Sequence, residues 1–383
     1  MSRALRDFVH FQLRWRASRP QLKRDPLGRC AVQTVGHLPH ETQPSPLEQC
    51  HSVVQSESMH MVSPRRWVAP AGAVATWKVL LLSAGACAQS VQRTVPPSAN
   101  VTVVDLTPKF LAFYDSATIL NADPDQRWQL WRQLYNFAAV PPTASGEELA
   151  RRLLDSAWVR YPAAISIIRR GAQGLGVSPD TVVREVIRLL GCGNHVRVRL
   201  TVFVGGFEGN AFAFRARDGM PNIALPVEAG DPARSMIHEF THAVHRDGCA
   251  TFKNGYGGSL AELVITEGLA MRVVENLLPG HNANYYTHAA PGWLEAAAAR
   301  RDSILSGVRE RLEDRGDSTW ERFTFGRGVA GLPREAYYVG WEVVGAMLTR
   351  MHMSFHSVAT TPPAEYSGLL RQAIDSLLAP KRR

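Results

Sequence analysis

Apolar and polar residues alternate in different ways along the chain, and each pattern predicts a different kind of element. Between residues 107 and 190, apolar residues recur every three or four positions, which is the period of an amphipathic helix. From residue 196 to residue 204 they occupy every second position, which predicts a strand with one polar side. Two shorter strands are predicted at 210–215 and 221–227, and residues 231–379 return mostly to the helical period.

This order of elements predicts an α+β fold, with a small and mostly antiparallel sheet between two helical segments. We divide the sequence accordingly. Residues 89–106 are expected to form a linker, residues 107–195 a helical N-terminal subdomain, and residues 196–383 a second region that begins with the strands.

The sequence before residue 89 has the pattern of an export signal that begins at an internal methionine. Met61 is followed by a basic stretch, an apolar segment at 79–86 and a small-x-small cleavage pattern around Cys87. Residues 61–88 are therefore predicted to be a signal peptide, and the protein to be periplasmic or secreted. Lipidation of Cys87 is an alternative. Residues 1–60 have no sustained period, and we expect them to be a mis-annotated or disordered extension.

The basic charge of the chain is concentrated in the same part. The sequence has 43 Lys/Arg and 34 Asp/Glu, a formal net charge of +9. Residues 1–88 contain 11 Lys/Arg and 5 Asp/Glu, so 32 Lys/Arg and 29 Asp/Glu remain after residue 88. Because this remainder is nearly neutral and has no basic run with interleaved aromatic residues, we do not expect nucleic-acid binding. No stretch is long and apolar enough to be a stable transmembrane span.

Two of the five cysteines, Cys192 and Cys249, lie after the predicted signal peptide, and each is next to a glycine. In an exported protein they could form a disulfide bond, although two unpaired thiols are an equal alternative at this point. No CxxC spacing indicates a metal site built from cysteines.

The clearest chemical motif is His-Glu-Phe-Thr-His at residues 238–242. Asp231 and Pro232 precede it and are typical of a helix N-cap and first helical position. On such a helix, His238 and His242 leave the same face one turn apart, which suits two ligands of a Zn²⁺ ion. Glu239 would lie beside them, where a carboxylate can take a proton from water activated by the metal.

A third ligand is required, and a glutamate further along the chain is the best candidate. His245 would lie about 10 Å from His238 along the helix, too far to share one ion. Glu267 is surrounded at helical spacing by apolar residues, where a buried carboxylate needs a positive partner. Glu262 lies nearer the start of the same predicted helix, where the helix dipole and solvent stabilise a carboxylate without a metal. Glu267 is therefore the favoured ligand. Gly268 has no side chain and permits another helix to approach closely.

The motif HEFTH followed by ITEGLAMRV resembles the gluzincin metallopeptidases, and in particular bacterial predicted Zn-dependent proteases of uncharacterised type. The resemblance covers roughly residues 200–345. It implies a zincin-like fold in which the region 196–383 is catalytic, with zinc bound by His238, His242 and Glu267 and with Glu239 as general base. One departure is that 24 residues separate His242 from Glu267. The shorter spacing of thermolysin-like enzymes would select Glu262, so that alternative stays open.

A second part of the resemblance lies near the C-terminus. Gluzincin aminopeptidases have a Tyr-x-x-Gly motif whose phenol stabilises the oxyanion, and Tyr337 and Gly340 match it. Tyr337 and its neighbour Tyr338 are therefore candidate catalytic residues. The alternative is that both are core aromatic residues.

Together these features predict a zinc-dependent peptidase that acts on a peptide or protein substrate. Two other functions stay open: a metal-stabilised peptide-binding or chaperone module without turnover, and a zinc hydrolase of a non-peptide amide or ester. The sequence does not distinguish an endopeptidase from an aminopeptidase, and it does not indicate the oligomeric state.

Overall fold

The computed structural model describes residues 100–138, 140, 144–193, 196–209, 211–216, 218–228, 230–249 and 258–379. The predicted signal peptide, the segment before it and Cys87 lie outside these residues. No helix in the described part is both long and apolar enough to cross a membrane. The N-terminal elements are β1 (Asn100–Asp105), α1 (Thr107–Ile119), α2 (Pro124–Leu134), α3 (Ala144–Ala157), α4 (Tyr161–Arg170) and α5 (Pro179–Leu190), with 3₁₀ turns at Trp158–Arg160 and Gly171–Leu175.

The later elements are β2 (Arg197–Phe203), β3 (Phe212–Arg215), β4 (Pro221–Pro226), α6 (Pro232–Gly248), α7 (Leu260–Leu277), α8 (Ala283–Tyr286), α9 (Trp293–Ala298), α10 (Arg301–Arg309), α11 (Asp317–Thr324), α12 (Glu335–Thr349), α13 (Phe355–Thr360) and α14 (Tyr366–Leu378), with a 3₁₀ turn at Pro363–Glu365. The mixture of a small sheet and many helices confirms the α+β class.

The sheet is mixed, so the expectation of a mostly antiparallel sheet is wrong. Its four strands lie in the order β1-β2-β4-β3, and the pairs β1–β2 and β2–β4 are both parallel. Only the β3–β4 pair is antiparallel. The difference arises because residues 100–105, assigned to the linker, form β1, and the helices between β1 and β2 make the long crossover that parallel strands require.

The helices before β2 confirm the helical pattern predicted for residues 107–190. They bury a group of aromatic side chains beside the sheet, in which the Phe110 ring packs against the rings of Tyr135 and Tyr161 at 5.4 and 4.8 Å. The Tyr135 hydroxyl donates to the Val204 carbonyl and accepts from the Val204 N–H, both at 2.9 Å. These contacts hold the helices against the end of β2.

A disulfide bond links Cys192, after α5, to Cys249, after α6, and thereby decides between the two alternatives that the sequence left open. The same place contains a close contact between two glycines: a Cβ atom on Gly248 would lie 2.5 Å from the Gly193 Cα. The end of α6 is therefore held against the end of α5.

Candidate metal centre

Helix α6 begins soon after the last strand and carries two candidate ligands. The Asp231 carboxylate accepts a hydrogen bond from the Arg234 backbone N–H at 3.1 Å, and Pro232 occupies the first helical position. This confirms the helix start predicted from the sequence. Every residue from 236 to 245 is buried, so His238 and His242 lie in the interior of the protein.

Helix α7 brings the third candidate ligand against α6. Its N-terminus is capped by Ser259, whose hydroxyl accepts a hydrogen bond from the Glu262 backbone N–H at 3.3 Å. Further along, α7 packs closely on α12: a Cβ atom on Gly268 would lie 2.4 Å from the Gly340 carbonyl oxygen. The prediction that Gly268 permits close approach of another helix is thus confirmed. Because Gly268 follows Glu267, this contact fixes the part of α7 that carries the Glu267 carboxylate.

The side chains of His238, His242 and Glu267 meet between α6 and α7. The Nε2 atoms of the two histidines are 3.0 Å apart. Glu267 Oε2 lies 3.3 Å from His238 Nε2 and 3.6 Å from His242 Nε2. Within the described residues this is the one group of three or more His, Cys, Asp or Glu side chains whose ligand atoms all lie within 4.8 Å of one another.

These separations fit a zinc ion. Zinc binds imidazole nitrogen and carboxylate oxygen at about 2.0–2.2 Å with tetrahedral geometry, which places neighbouring ligand atoms about 3.3 Å apart. The observed separations of 3.0, 3.3 and 3.6 Å are centred on that value. Glu267 Oε2 is buried without a hydrogen-bond partner among the described residues, which is costly unless a cation meets it. The three residues therefore suit zinc and leave a fourth position for water or substrate.

The electrostatics of the cluster favour a carboxylate that stays ionised. Burial by itself raises the pKa of Glu267, but the interactions with His242 and His238 outweigh it, and the pKa is lowered overall. Burial likewise disfavours protonated His242, yet the attraction of Glu267 raises its pKa. The Nδ1 atoms of both histidines are buried without a described hydrogen-bond partner, and the two rings pack edge-on with their centroids 4.7 Å apart.

Glu239 lies next to the cluster and is buried, with 8% of its surface exposed. Burial raises its pKa, which the charges of His242 and His238 partly oppose. A backbone hydrogen bond from Ala213, in strand β3, also stabilises the ionised form. A carboxylate whose pKa is raised toward neutrality is a better proton acceptor than an ordinary exposed glutamate.

Glu262, the alternative third ligand, lies apart from this cluster. Its Oε1 is 3.5 Å from Arg315 Nη1, so it has a permanently charged partner of its own. The structure thus brings Glu267, and not Glu262, together with the two histidines. His245 is also buried, and its Nε2 lies 3.4 Å from the Tyr366 hydroxyl.

The two candidate tyrosines of α12 have different surroundings. Tyr338 is buried, and its ring packs edge-on against Trp293 at 6.3 Å. Burial, followed by repulsion from Glu342, raises the pKa of Tyr338 to about 12. Tyr337 is half-buried and lies 4.1 Å under the Arg334 guanidinium. The structure therefore places Tyr338 in a core environment and gives Tyr337 a cationic neighbour.

His288 is a candidate that the sequence analysis did not identify. Its ring centroid is 5.6 Å from that of His238, and its Nε2 is buried without a partner in the described part of the chain. Burial, together with repulsion from His238, Arg234 and Arg334, lowers the pKa of His288 to about 2, so its imidazole is neutral. No motif marks it, because 45 residues separate it from His242 in the sequence; only the fold brings it close to the cluster.

Comparison with known proteins gives one match. The family model described as predicted Zn-dependent protease (DUF2268) matches residues 225–367, which include all three clustered residues. Searches of curated proteins and of solved structures found no match. The family match therefore supports a zinc protease family for this part of the chain.

Proposed function

We propose that this protein is a zinc-dependent peptidase of the gluzincin type, with His238, His242 and Glu267 as metal ligands and Glu239 as general base. The observation that carries the proposal is the convergence of three buried ligand atoms at zinc-like separations beside a second buried carboxylate, that of Glu239. A purely structural metal site would have no use for that carboxylate.

Each residue of the cluster has a definite task in this proposal. When bound, zinc supplies a Lewis acid that polarises the scissile carbonyl and acidifies water. The two imidazoles and the Glu267 carboxylate would hold the ion. Glu239 takes the proton of the attacking water and later passes it to the departing amine. Tyr337, in the same proposal, donates a hydrogen bond to the oxyanion.

Strand β3 supports a peptide as the substrate. It is the edge of the sheet, bonded to β4 on one side and to no other described strand. An extended peptide can add to such an edge through main-chain hydrogen bonds. Because the Ala213 backbone in β3 interacts with the Glu239 carboxylate, a peptide on this edge would lie beside the cluster.

The proposed location is outside the cytoplasm, as the signal pattern at 61–88 predicts. The disulfide between Cys192 and Cys249 supports this, since such bonds persist mainly in oxidising compartments.

The proposal is tested by digesting a mixed peptide library with the purified protein and its Glu239→Gln variant. We expect the wild type to cleave peptides and Glu239→Gln to lose about 10³-fold or more of that activity while retaining its zinc. Glu262→Gln, which alters a buried glutamate outside the cluster, serves as the control and should remain active.

Two results would replace the proposal by another function. Zinc and tight peptide binding without any cleavage would indicate a binding or chaperone module. Cleavage of ester or non-peptide amide substrates, with intact peptides, would indicate a different hydrolase. Undiminished turnover by Glu239→Gln would exclude Glu239 as the base.

A further inference from the structure

Two arginines flank the segment that carries His288. Arg234 Nη1 donates to the Tyr285 carbonyl oxygen at 3.1 Å, and Arg334 Nη2 donates to the Thr287 carbonyl oxygen at 3.0 Å. These carbonyls lie three residues and one residue before His288, whose ring contacts His238. Both guanidinium groups are therefore fixed beside the metal centre, one on the side of α6 and the other at the start of α12.

Each guanidinium is also fixed against an aromatic ring. The Arg234 guanidinium lies 4.9 Å from the centroid of the Tyr285 ring, and that of Arg334 lies 4.1 Å from the centroid of the Tyr337 ring. Stacking and one hydrogen bond to a backbone carbonyl restrict the planar group but use only part of its five donors. The two arginines are thus held in place in advance of any ligand.

Neither arginine has a carboxylate within 4.0 Å among the described residues, although two acidic residues are close in the chain. The Asp231 carboxylate caps α6 and accepts a hydrogen bond from the Tyr285 hydroxyl. The Glu335 carboxylate accepts three backbone N–H bonds from the loop before α12. Both carboxylates are thus engaged elsewhere and neither lies within ion-pair distance of a guanidinium, although the Asp231 and Arg234 charges still attract each other at longer range.

The burial of these arginines increases the cost of leaving them unpaired. The Nε atoms of both are buried and have no hydrogen-bond partner in the described part of the chain. Cations that are partly removed from water are unfavourable without a compensating anion. A guanidinium that is positioned but not neutralised is suited to bind a carboxylate, which it can grip with two parallel hydrogen bonds.

The position of Arg234 on α6 sets the distance between a bound carboxylate and the scissile bond of the substrate. Arg234, His238 and His242 are spaced by four residues and share one face of α6, so Arg234 lies about 6 Å along the helix from the first ligand. One residue of an extended peptide spans about 3.4 Å. A carboxylate held here would therefore belong to a residue one or two positions from the scissile bond.

We infer that Arg234 and Arg334 form a carboxylate-binding subsite of the metal centre, and that the preferred substrate is a peptide with a carboxylate within two residues of the scissile bond. This inference rests on the proposed peptidase function. The carboxylate can be the C-terminal α-carboxylate of the peptide or the side chain of Asp or Glu. The alternative is that the two arginines bind no substrate and only hold the segment 285–288 in place through their hydrogen bonds to its carbonyls.

The test measures peptide binding, not turnover. The Glu239→Gln protein, which should bind peptide without cutting it, is titrated calorimetrically with four matched peptides. Two differ only in a C-terminal carboxylate or amide, and two only in Glu or Gln next to the expected scissile bond. We expect at least one carboxylate peptide to bind about 10-fold more tightly than its neutral partner, with a preference that weakens as salt is raised.

The arginine variants then assign the preference. Arg234→Gln and Arg334→Gln should each reduce the carboxylate preference about 10-fold and leave affinity for the neutral peptides within about threefold. Arg350→Gln is the control, because Arg350 also donates to a backbone carbonyl, that of Ser376, on the exposed surface. It should change neither affinity. Melting temperatures of all variants verify that they are folded.

The outcomes separate this inference from the proposed function. Equal affinity for charged and neutral peptides, or variants that weaken both kinds equally, would overturn the subsite even if the wild type cleaves peptides. If the wild type holds no zinc and cleaves nothing, the proposed function fails. The same titration of the metal-free protein then still decides the subsite: a retained carboxylate preference supports it, and its absence overturns it.

Discussion

The first turn of α7 and its middle each bury one glutamate, and the two differ in what neutralises the charge. Glu262 and Glu267 are both 6% exposed. Glu262 pairs with Arg315, whose side chain is 60% exposed and carries a permanent charge. Within the described residues, the Glu267 carboxylate has ion-pair distances only to the imidazoles of His238 and His242, which are neutral whenever they act as metal ligands. Burial therefore does not distinguish a structural carboxylate from a ligand; the partner does.

A partly buried carboxylate, that of Glu228, extends the comparison. Glu228, beyond the end of β4, has no cationic partner within 4.0 Å among the described residues, and its Oε1 accepts backbone hydrogen bonds from Gly205 and Phe207 at 2.9 and 3.4 Å. Burial raises its pKa to about 7 despite these bonds. The three glutamates thus illustrate three responses to removal from water: pairing with an arginine, facing a candidate metal site, and a raised pKa.

The largest change of stability that we expect comes from the middle of α7. Gly268→Ala would place a Cβ atom 2.4 Å from the Gly340 carbonyl oxygen and 2.6 Å from Val344 Cγ2, so α7 and α12 must separate. We expect the free energy of unfolding to fall by about 3 kcal/mol, and the affinity for zinc to fall because Glu267 is displaced. Urea denaturation and a zinc titration measure the two effects.

Gly368→Ala in α14 is the matched control for this substitution. Nothing lies within 4 Å of its added Cβ atom, and its φ angle is not positive. Because alanine favours a helix by up to about 1 kcal/mol over glycine, the control should be neutral or stabilising. Equal losses in both variants would contradict the close contact between α7 and α12.

A smaller effect, dependent on pH, is expected at Glu228. Its pKa is raised to about 7 in the folded protein, whereas a glutamate in an unfolded chain titrates near 4.3. Between these values the folded state binds more protons than the unfolded state, so stability is lost as pH rises through this window. Glu228→Gln removes the loss, and its stability relative to wild type should rise by about 2–3 kcal/mol from pH 5 to pH 8.

Chemical denaturation at the two pH values measures this difference. Glu148→Gln, at a side chain that is 72% exposed, is the control and should show no such trend. A constant difference between Glu228→Gln and wild type at both pH values would mean that Glu228 is ionised in the folded protein throughout.

Features that depend on local sequence were predicted well. The start of α6, the helical segment before β2 and the close approach at Gly268 follow from capping, periodicity and residue size. The burial argument also selected Glu267, which the fold brings to the histidines, over Glu262. Each of these inferences needs only a short stretch of chain and the face on which its side chains lie.

Features that depend on long-range pairing were not predicted. Strand β1 has only six residues and follows a polar segment, so its parallel pairing with β2 has no local signal. The disulfide between Cys192 and Cys249 was only one of two alternatives. The positions of His288 and Arg334 beside α6 arise from the packing of segments that are far apart in the sequence. Their chemical meaning is apparent only once the fold places them around the metal centre.

The most direct test of the account is the zinc content of the purified protein, measured by mass spectrometry for the wild type, Glu267→Ala and Glu262→Ala. We predict about one zinc per chain in the wild type and in Glu262→Ala, and almost none in Glu267→Ala, because three protein ligands are the usual minimum for a catalytic zinc site. The account would be contradicted if Glu262→Ala lost its zinc while Glu267→Ala retained it, or if the wild type took up no zinc.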